Sequence, residues 1–220
     1  MMPITNPDIR AYLASVTPER ESKLEALYQE ATTNNIPIIK HEMEDFLRLM
    51  VVMNQPKRIL EIGTAIGYSS IIMSLAIDPP PQITTLEKSE KMLQEARTNI
   101  KKFDLEKSIT IIQGDAVEVL KDLKEPFDMI FMDAAKGQYM NFYEDVMRLL
   151  EEGGILVADN VLQDGLVAKS RYAVPRRQRT IHSRMREFLK TLSYNEALTT
   201  SILPIADGAT VSVRKRSKNE

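Results

Sequence analysis

Apolar residues in the first part of the chain recur at helical spacing, Leu24, Leu27, Tyr28 and Ala31 on one face and Met43, Phe46, Leu47 and Met50 on another. Asn6-Pro7 and Thr17-Pro18 each read as an N-cap followed by proline at the first helical position. Asn34-Asn35-Ile36-Pro37 reads as the turn between two helices. From Arg58 the pattern changes to short β-branched runs alternating with helical stretches. Strands are expected at Ile59–Ile62, Gln82–Glu87, Ile109–Gln113, Asp128–Met132 and Ile155–Asp159. Helices are expected from Tyr68, with Ile71, Ile72 and Leu75 inward, and over Ser89–Phe103, Asp115–Leu123, Gln138–Leu150 and Arg177–Leu192. Gly153-Gly154 reads as a helix stop. Two last strands, Ala197–Ile205 and Ala209–Arg214, flank Asp207-Gly208, a two-residue hairpin signal.

This alternation implies an α/β fold with a mostly parallel sheet wrapped by helices on both faces and an N-terminal helical cap. One domain is expected over residues 1–220, with a cap at 1–55 and an α/β core at 56–220. The chain contains no cysteine, so disulfides and thiolate metal sites are excluded. No apolar run is long enough to span a bilayer, and the start, Met1-Met2-Pro3-Ile4-Thr5-Asn6, lacks the basic and apolar regions of a leader. A cytoplasmic protein is expected. The formal charge of −2 argues against a surface coated in positive potential but leaves room for a local basic patch.

The first chemical signal is Arg58-Ile59-Leu60-Glu61-Ile62-Gly63-Thr64-Ala65-Ile66-Gly67-Tyr68-Ser69-Ser70, a strand, a glycine loop and a helix start. Its glycines let backbone come close to a ligand, and the helix offers free N–H groups. A phosphate-gripping loop would end in Gly-Lys-Ser/Thr, and a dinucleotide loop would read G-x-G-x-x-G; this loop does neither. Ligands of open parallel sheets bind beyond the carboxyl ends of the strands. There the chain places Glu87, suited to ribose hydroxyls, and Gly114-Asp115-Ala116, suited to an adenine ring. Asp133 and Asp159-Asn160 follow on later strands. Two carboxylates and an amide oxygen are hard donors that suit Mg²⁺, although such aspartates also end strands and cap helices without any metal. Lys136, three residues beyond Asp133, is placed to act as a base; a surface lysine is the plainer alternative.

The glycine spacing and Glu61 resemble the first motif of class I S-adenosylmethionine-dependent methyltransferases. Taken with Gly114-Asp115-Ala116, Asp133-Ala134-x-Lys136 and Asp159-Asn160, the chain resembles the cation-dependent O-methyltransferases of the catechol and caffeoyl-CoA type, from about Pro37 to about Val213. The resemblance implies the Rossmann-like class I methyltransferase fold, with a seven-stranded sheet ending in an antiparallel hairpin. It implies S-adenosylmethionine and Mg²⁺ as cofactors, the metal held by Asp133, Asp159 and Asn160, and Lys136 and Asp133 as the catalytic residues. The cofactor pocket would be formed by Ile39, Glu61, Gly63, Gly67, Ser69, Glu87, Asp115, Ala116 and Asp133.

The acceptor is a separate question. Plant members acting on phenylpropanoids carry a tryptophan shortly after the Asp-Asn pair, where this chain has Val161–Val167 and no tryptophan anywhere. Between Gly165 and Lys190 lie Lys169, Arg171, Arg176, Arg177, Arg179, Arg184, Arg186 and Lys190 against the single acid Glu187. Such a cluster is either a phosphate-binding surface or a solvated or intersubunit face. Asp133–Tyr139 with Asn141-Phe142, Asp159–Leu162, Gly165–Ala168 and Pro175-Arg176-Arg177 resemble the bacterial tRNA 5-hydroxyuridine methyltransferases. That resemblance implies formation of 5-methoxyuridine at the anticodon wobble position, with Arg171, Arg176, Arg177 and Arg179 on the RNA. Methylation of small catechols or phenols is the alternative. A non-catalytic RNA-binding scaffold and an NAD-dependent oxidoreductase fit the residues less well. The helical amino-terminal part suggests a homodimer.

Overall fold

The computed structural model describes residues 4 and 6–217; the stretch considered for a leader lies largely outside them. Three helices, α1 (Pro7–Val16), α2 (Ser22–Thr33) and α3 (His41–Asn54), precede the sheet. The core then alternates β1 (Arg58–Ile62), α4 (Tyr68–Leu75), β2 (Gln82–Glu87), α5 (Glu90–Lys102), β3 (Ile109–Gln113), α6 (Ala116–Asp122), β4 (Phe127–Met132), α7 (Tyr139–Leu149) and β5 (Leu150–Ala158). After α8 (Arg179–Tyr194), β6 (Leu198–Leu203) and β7 (Ala209–Arg214) close the chain. The seven strands lie in the order β3-β2-β1-β4-β5-β7-β6, with β1 to β5 parallel and β7 antiparallel to both neighbours. This is the expected α/β methyltransferase sheet.

Side-chain alternation along each strand divides the core into two layers. Ile59, Ile83, Met129, Phe131, Ile155 and Val157 pack with residues of α2, α3 and α4. Leu60, Ile62, Leu86, Ile130, Met132 and Leu156 pack with α7 and α8. Glu61 takes the same face of β1 as Ile59, so a carboxylate enters a fully buried layer. Chain direction reverses between β1, which leads outward to β2 and β3, and β4, which leads to β5. That switch point opens a crevice at the carboxyl ends of the strands.

Three local expectations are corrected. Asn6 does cap α1, its Oδ1 accepting from the Asp8 N–H at 2.8 Å. Thr17, however, ends α1 rather than starting α2: it is extended, as a residue before proline prefers, and its hydroxyl donates to Leu13 O at 2.9 Å. Gly153-Gly154 does not stop a helix but lies inside β5, which begins at Leu150. Gly153 is left-handed, with φ 84°, and a Cβ on Gly154 would lie 2.9 Å from the carbonyl oxygens of both Asp128 and Glu151. The pair forms an irregularity facing the register shift between Phe127 and Met129. Finally, Asp207-Gly208 closes no two-residue turn. Pairing ends at Leu203 with Ala209, and the intervening 204–208 loop turns toward the crevice.

The cap is fastened to the core by a buried acid. Glu44 on α3 is 2% exposed and accepts from Arg20 Nε at 2.8 Å and from the Tyr68 hydroxyl at 2.9 Å. Arg20 also lies over the Tyr28 ring, 3.9 Å from its centroid. Glu44→Ala would leave the Arg20 guanidinium only its more open partner Glu25, at 2.9 Å, and is expected to cost about 2–3 kcal/mol in urea unfolding. Arg10→Ala, which removes the more open pair with Glu42, is expected to cost less than about 1 kcal/mol in the same measurement.

Candidate active site

A cavity of about 950 Å³ opens at the crevice and is lined from every strand end that faces it. The β1 ladder continues into its wall. Gly63 N and Thr64 N donate to Leu86 O at 3.1 and 3.2 Å, and Asp133 N donates to Ile62 O at 3.0 Å. Gly63 has φ 107°, and an added Cβ would overlap the Asp133 carbonyl oxygen, so only glycine lets the first and fourth strand ends close side by side. Gly67 precedes α4 as its N-cap with φ 82°, the third positive-φ residue of the loop after Gly63 and Ala65, whose φ is 46°.

Glu61 lies beneath the loop. Its fully buried carboxylate accepts hydrogen bonds from the hydroxyls of Ser69, Ser70 and Thr85, and Thr85 in turn is bonded to Thr64. Burial pushes the Glu61 carboxyl up, and the three hydroxyls oppose that shift. The strand register explains the arrangement, because Glu61 pairs directly with Thr85 of β2. Glu87, at the end of β2, accepts from the backbone N–H groups of Ala65 at 2.8 Å and Ser89 at 2.7 Å. Its carboxylate is thereby held at the cavity wall. Asp115 caps α6, accepting from Val117 N at 3.1 Å, and the Lys88 ammonium beside it holds its carboxyl below the usual range.

The other end of the cavity is acidic. Asp133 and Asp159 extend β4 and β5, with Asp159 N donating to Met132 O at 3.0 Å. The buried Tyr139 hydroxyl lies 3.1 Å from Met132 O and 3.0 Å from Asp159 O, tying the two strand ends together. Asn160 follows in a left-handed conformation, φ 57°, and its N–H donates to Asp159 Oδ1 at 2.6 Å. Burial, reinforced by Glu61, raises Asp133 to about 6; burial, reinforced by Asp133, raises Asp159 to about 7. Asp207 and Asp164 add two further acids, against the ammonium groups of Lys40 and Lys136. The four acids outnumber the two ammonium groups, an excess that a divalent cation would offset. The donor set of Asp133, Asp159 and Asn160 offers hard oxygens to it. Among the described residues no cluster of three or more histidine, cysteine or acidic side chains is arranged for a metal.

Of the residues expected from sequence, Ile39, Gly63, Ser69, Glu87, Asp115, Ala116, Asp133, Lys136, Asp159 and Asn160 all line the one cavity. Glu61 and Gly67 do not. Glu61 is sealed under Ser69, and a Cβ on Gly67 would face Ala96 and Ile100 at 3.6 Å, so both act by shaping the loop. The four arginines also lie outside it. Arg171, Arg176 and Arg177 are exposed, but Arg179 is directed inward, donating from Nε to Val174 O at 3.1 Å and from an η-nitrogen to Tyr172 O at 3.4 Å. That guanidinium is a brace for its own loop. Sequence reasoning gave Lys40, Tyr139 and Asp207 no individual role. The Asp207-Gly208 pair is readable only as a turn, and nothing in the local pattern distinguishes Lys40 from a surface lysine.

Comparison with known proteins agrees with this geometry. Residues 14–215 match the model of a family described as O-methyltransferase. The chain is 35% identical over 179 residues to a catechol O-methyltransferase of Niastella koreensis, covering 77% of this chain and 79% of that protein. It is 32% identical over 217 residues to a caffeoyl-CoA O-methyltransferase of Populus kitakamiensis, covering 92% and 91%. Among solved structures, an O-methyltransferase from Bacillus cereus in complex with SAH superposes with a TM-score of 0.83 at 27% identity, covering 94% of this chain and 97% of that one.

Gly63→Ala is expected to force the loop away from Asp133 at a cost of about 1–3 kcal/mol. Calorimetric affinity for S-adenosylhomocysteine should fall at least about fivefold, while the far-ultraviolet circular dichroism of the sheet and helices is retained.

Proposed function

The chain belongs to this O-methyltransferase family, and on that premise we propose that it methylates 5-hydroxyuridine at the wobble position of tRNA to 5-methoxyuridine, using S-adenosylmethionine and Mg²⁺. The coarse activity is S-adenosylmethionine-dependent O-methyl transfer of the catechol and caffeoyl-CoA type. The observation that carries the reading is the convergence of Gly63, Ser69, Glu87 and Ala116 at one end of a cavity whose other end holds Asp133, Lys136, Asp159 and Asn160. The exposed Arg171, Arg176 and Arg177 support the choice of RNA. They precede α8, whose Arg184 reaches the cavity rim by donating to Gly137 O at 2.7 Å.

When bound, S-adenosylmethionine supplies the activated methyl group and Mg²⁺ the Lewis-acid charge that favours a deprotonated acceptor oxygen. The chain's own residues do the remainder. Glu87 is oriented by two backbone N–H groups to receive ribose hydroxyls, and Asp115 and Ala116 border the space for a flat ring. Asp133, Asp159 and Asn160 would hold the cation at the strand ends. Lys136, on the turn that follows Asp133, lines the acceptor end of the cavity and assists deprotonation of the acceptor hydroxyl. A 5-hydroxyuracil presents its hydroxyl next to the C4 carbonyl, the same pair of neighbouring oxygens that a catechol offers. Orientation of those oxygens against the methyl group is what this site contributes.

A homodimer is proposed as well. Helix α1 buries no residue and exposes Ile9, Tyr12, Leu13 and Val16, and α3 exposes Leu49, Val52 and Met53. A paired Tyr12→Glu, Val16→Glu variant is expected to sediment as a monomer where the parent chain sediments as a dimer; a parent that is already monomeric sinks the proposal. Among the described residues no helix is long and apolar enough to cross a membrane.

The test of function is digestion and mass spectrometry of tRNA carrying 5-hydroxyuridine after incubation with the protein, S-adenosylmethionine and Mg²⁺. The expected product is 5-methoxyuridine, lost with EDTA or with Asp159→Ala, and reduced about 10²–10⁴-fold by Lys136→Ala. Arg176→Ala with Arg177→Ala should raise KM for tRNA and flatten its salt dependence by roughly one unit of log–log slope for each phosphate no longer bound, leaving transfer to free catechol unchanged. Brisk methylation of catechol with no product on tRNA would assign the enzyme to small phenolic acceptors.

A further inference from the structure

Three irregular segments wall the acidic end of the cavity: residues 34–40 between α2 and α3, residues 160–165 after β5, and the 204–208 loop between β6 and β7. None is held by a strand ladder. The second of them begins with the proposed cation ligand Asn160 and is conformationally costly, since Asn160, Gln163 and Asp164 have φ of 57°, 50° and 51° and Gly165 has φ 80°. Left-handed residues other than glycine persist when their surroundings hold them there. Part of that hold is visible in the backbone. Val161 N donates to Gly208 O and Leu162 N to Asp207 O, each at 2.9 Å. Gly208 sits against Leu162 so closely that a Cβ would overlap the leucine side chain. The second segment and the third are therefore locked together.

Lys40 ties the first segment to that pair. Its Nζ is hydrogen-bonded to Asp207 Oδ1 and lies 3.8 Å from Asp164 Oδ1, so a single ammonium bridges both loops across the cavity rim. The Asp207 side chain is only 13% exposed, which takes this pair out of the class of open surface pairs. Lys40 and Asp207 both line the cavity that contains Asp133, Lys136, Asp159 and Asn160.

We propose that Lys40 is a positioning residue for methyl transfer, clasping Asp207 and Asp164 so that the 160–165 segment keeps Asn160 and the acceptor wall in the geometry the reaction uses. The inference rests on the reading of this cavity as the methyl-transfer site, but its first measurement does not depend on which acceptor is used.

The experiment compares full-length parent chain, Lys40→Met, Lys40→Arg and Asp207→Asn by hydrogen exchange, and by steady-state kinetics on tRNA carrying 5-hydroxyuridine and on free catechol. Lys40→Met and Asp207→Asn should accelerate exchange of the 160–165 amides about fivefold, with exchange in β1 and β4 unchanged. For whichever acceptor is methylated, Lys40→Met should lower kcat about tenfold with little change in KM for S-adenosylmethionine, and Lys40→Arg should recover most of both effects. Unchanged exchange at 160–165 in Lys40→Met overturns the proposal, as does acceleration spread evenly into β1 and β4. Local loosening without methylation of either acceptor by the parent chain would uphold the clasp and refute the proposed function.

Discussion

The buried carboxylate of Glu61 is the constraint on which the cofactor end of this molecule depends. A carboxylate placed in a sealed apolar layer needs its lone pairs occupied, or it costs the fold several kcal/mol. Here its partners come from the two elements that must be brought together, Ser69 and Ser70 from the first turns of α4 and Thr85 from β2. Satisfying one buried group therefore sets the distance between strand, loop and helix. Ser69, its hydroxyl anchored below on Glu61, lines the cavity. Glu87 repeats the device at the next strand end, where its carboxylate orders two backbone N–H groups on either side of itself.

The opposite end follows a different electrostatic logic. There the acids outnumber their protein partners, and burial raises Asp133 and Asp159 because little nearby offsets their charge. At the cofactor end negative charge is offset by hydrogen bonds within the protein; at the other end it is left in excess. Tyr139 holds the backbone of the two acid-bearing strand ends at fixed separation, so the excess is concentrated rather than dispersed. Helix α8 links this end to the basic surface through Arg184, which is bonded to the turn carrying Lys136.

Much of this arrangement was legible in the chain. The β-branched runs, the glycine spacing and the acids at successive strand ends are short-range features, each governed by a few neighbouring residues. They indicated the alternating core, the crevice and ten of the residues that line it. The errors arose where long-range contacts overrule local preference. Thr17-Pro18 carries the signature of a helix start, yet the chain uses it to end α1. Gly153-Gly154 resembles a stop signal, yet close approach of two carbonyl groups draws it into β5. Arg179 counts toward a basic patch in sequence but is directed to its own loop in space.

The sequence by itself determined the class of fold and the chemistry gathered at the sheet edge, because hydrophobic periodicity and strand-end residues follow from local geometry alone. Only the tertiary structure decided which of those residues touch the cavity and which support it from beneath. It placed Glu61 under the loop rather than in it, brought Lys40 to Asp207 across 167 positions, and separated the exposed arginines from the braced ones. These are relations between segments distant in the chain, set by register, burial and the need to pair buried charge, and no local pattern encodes them.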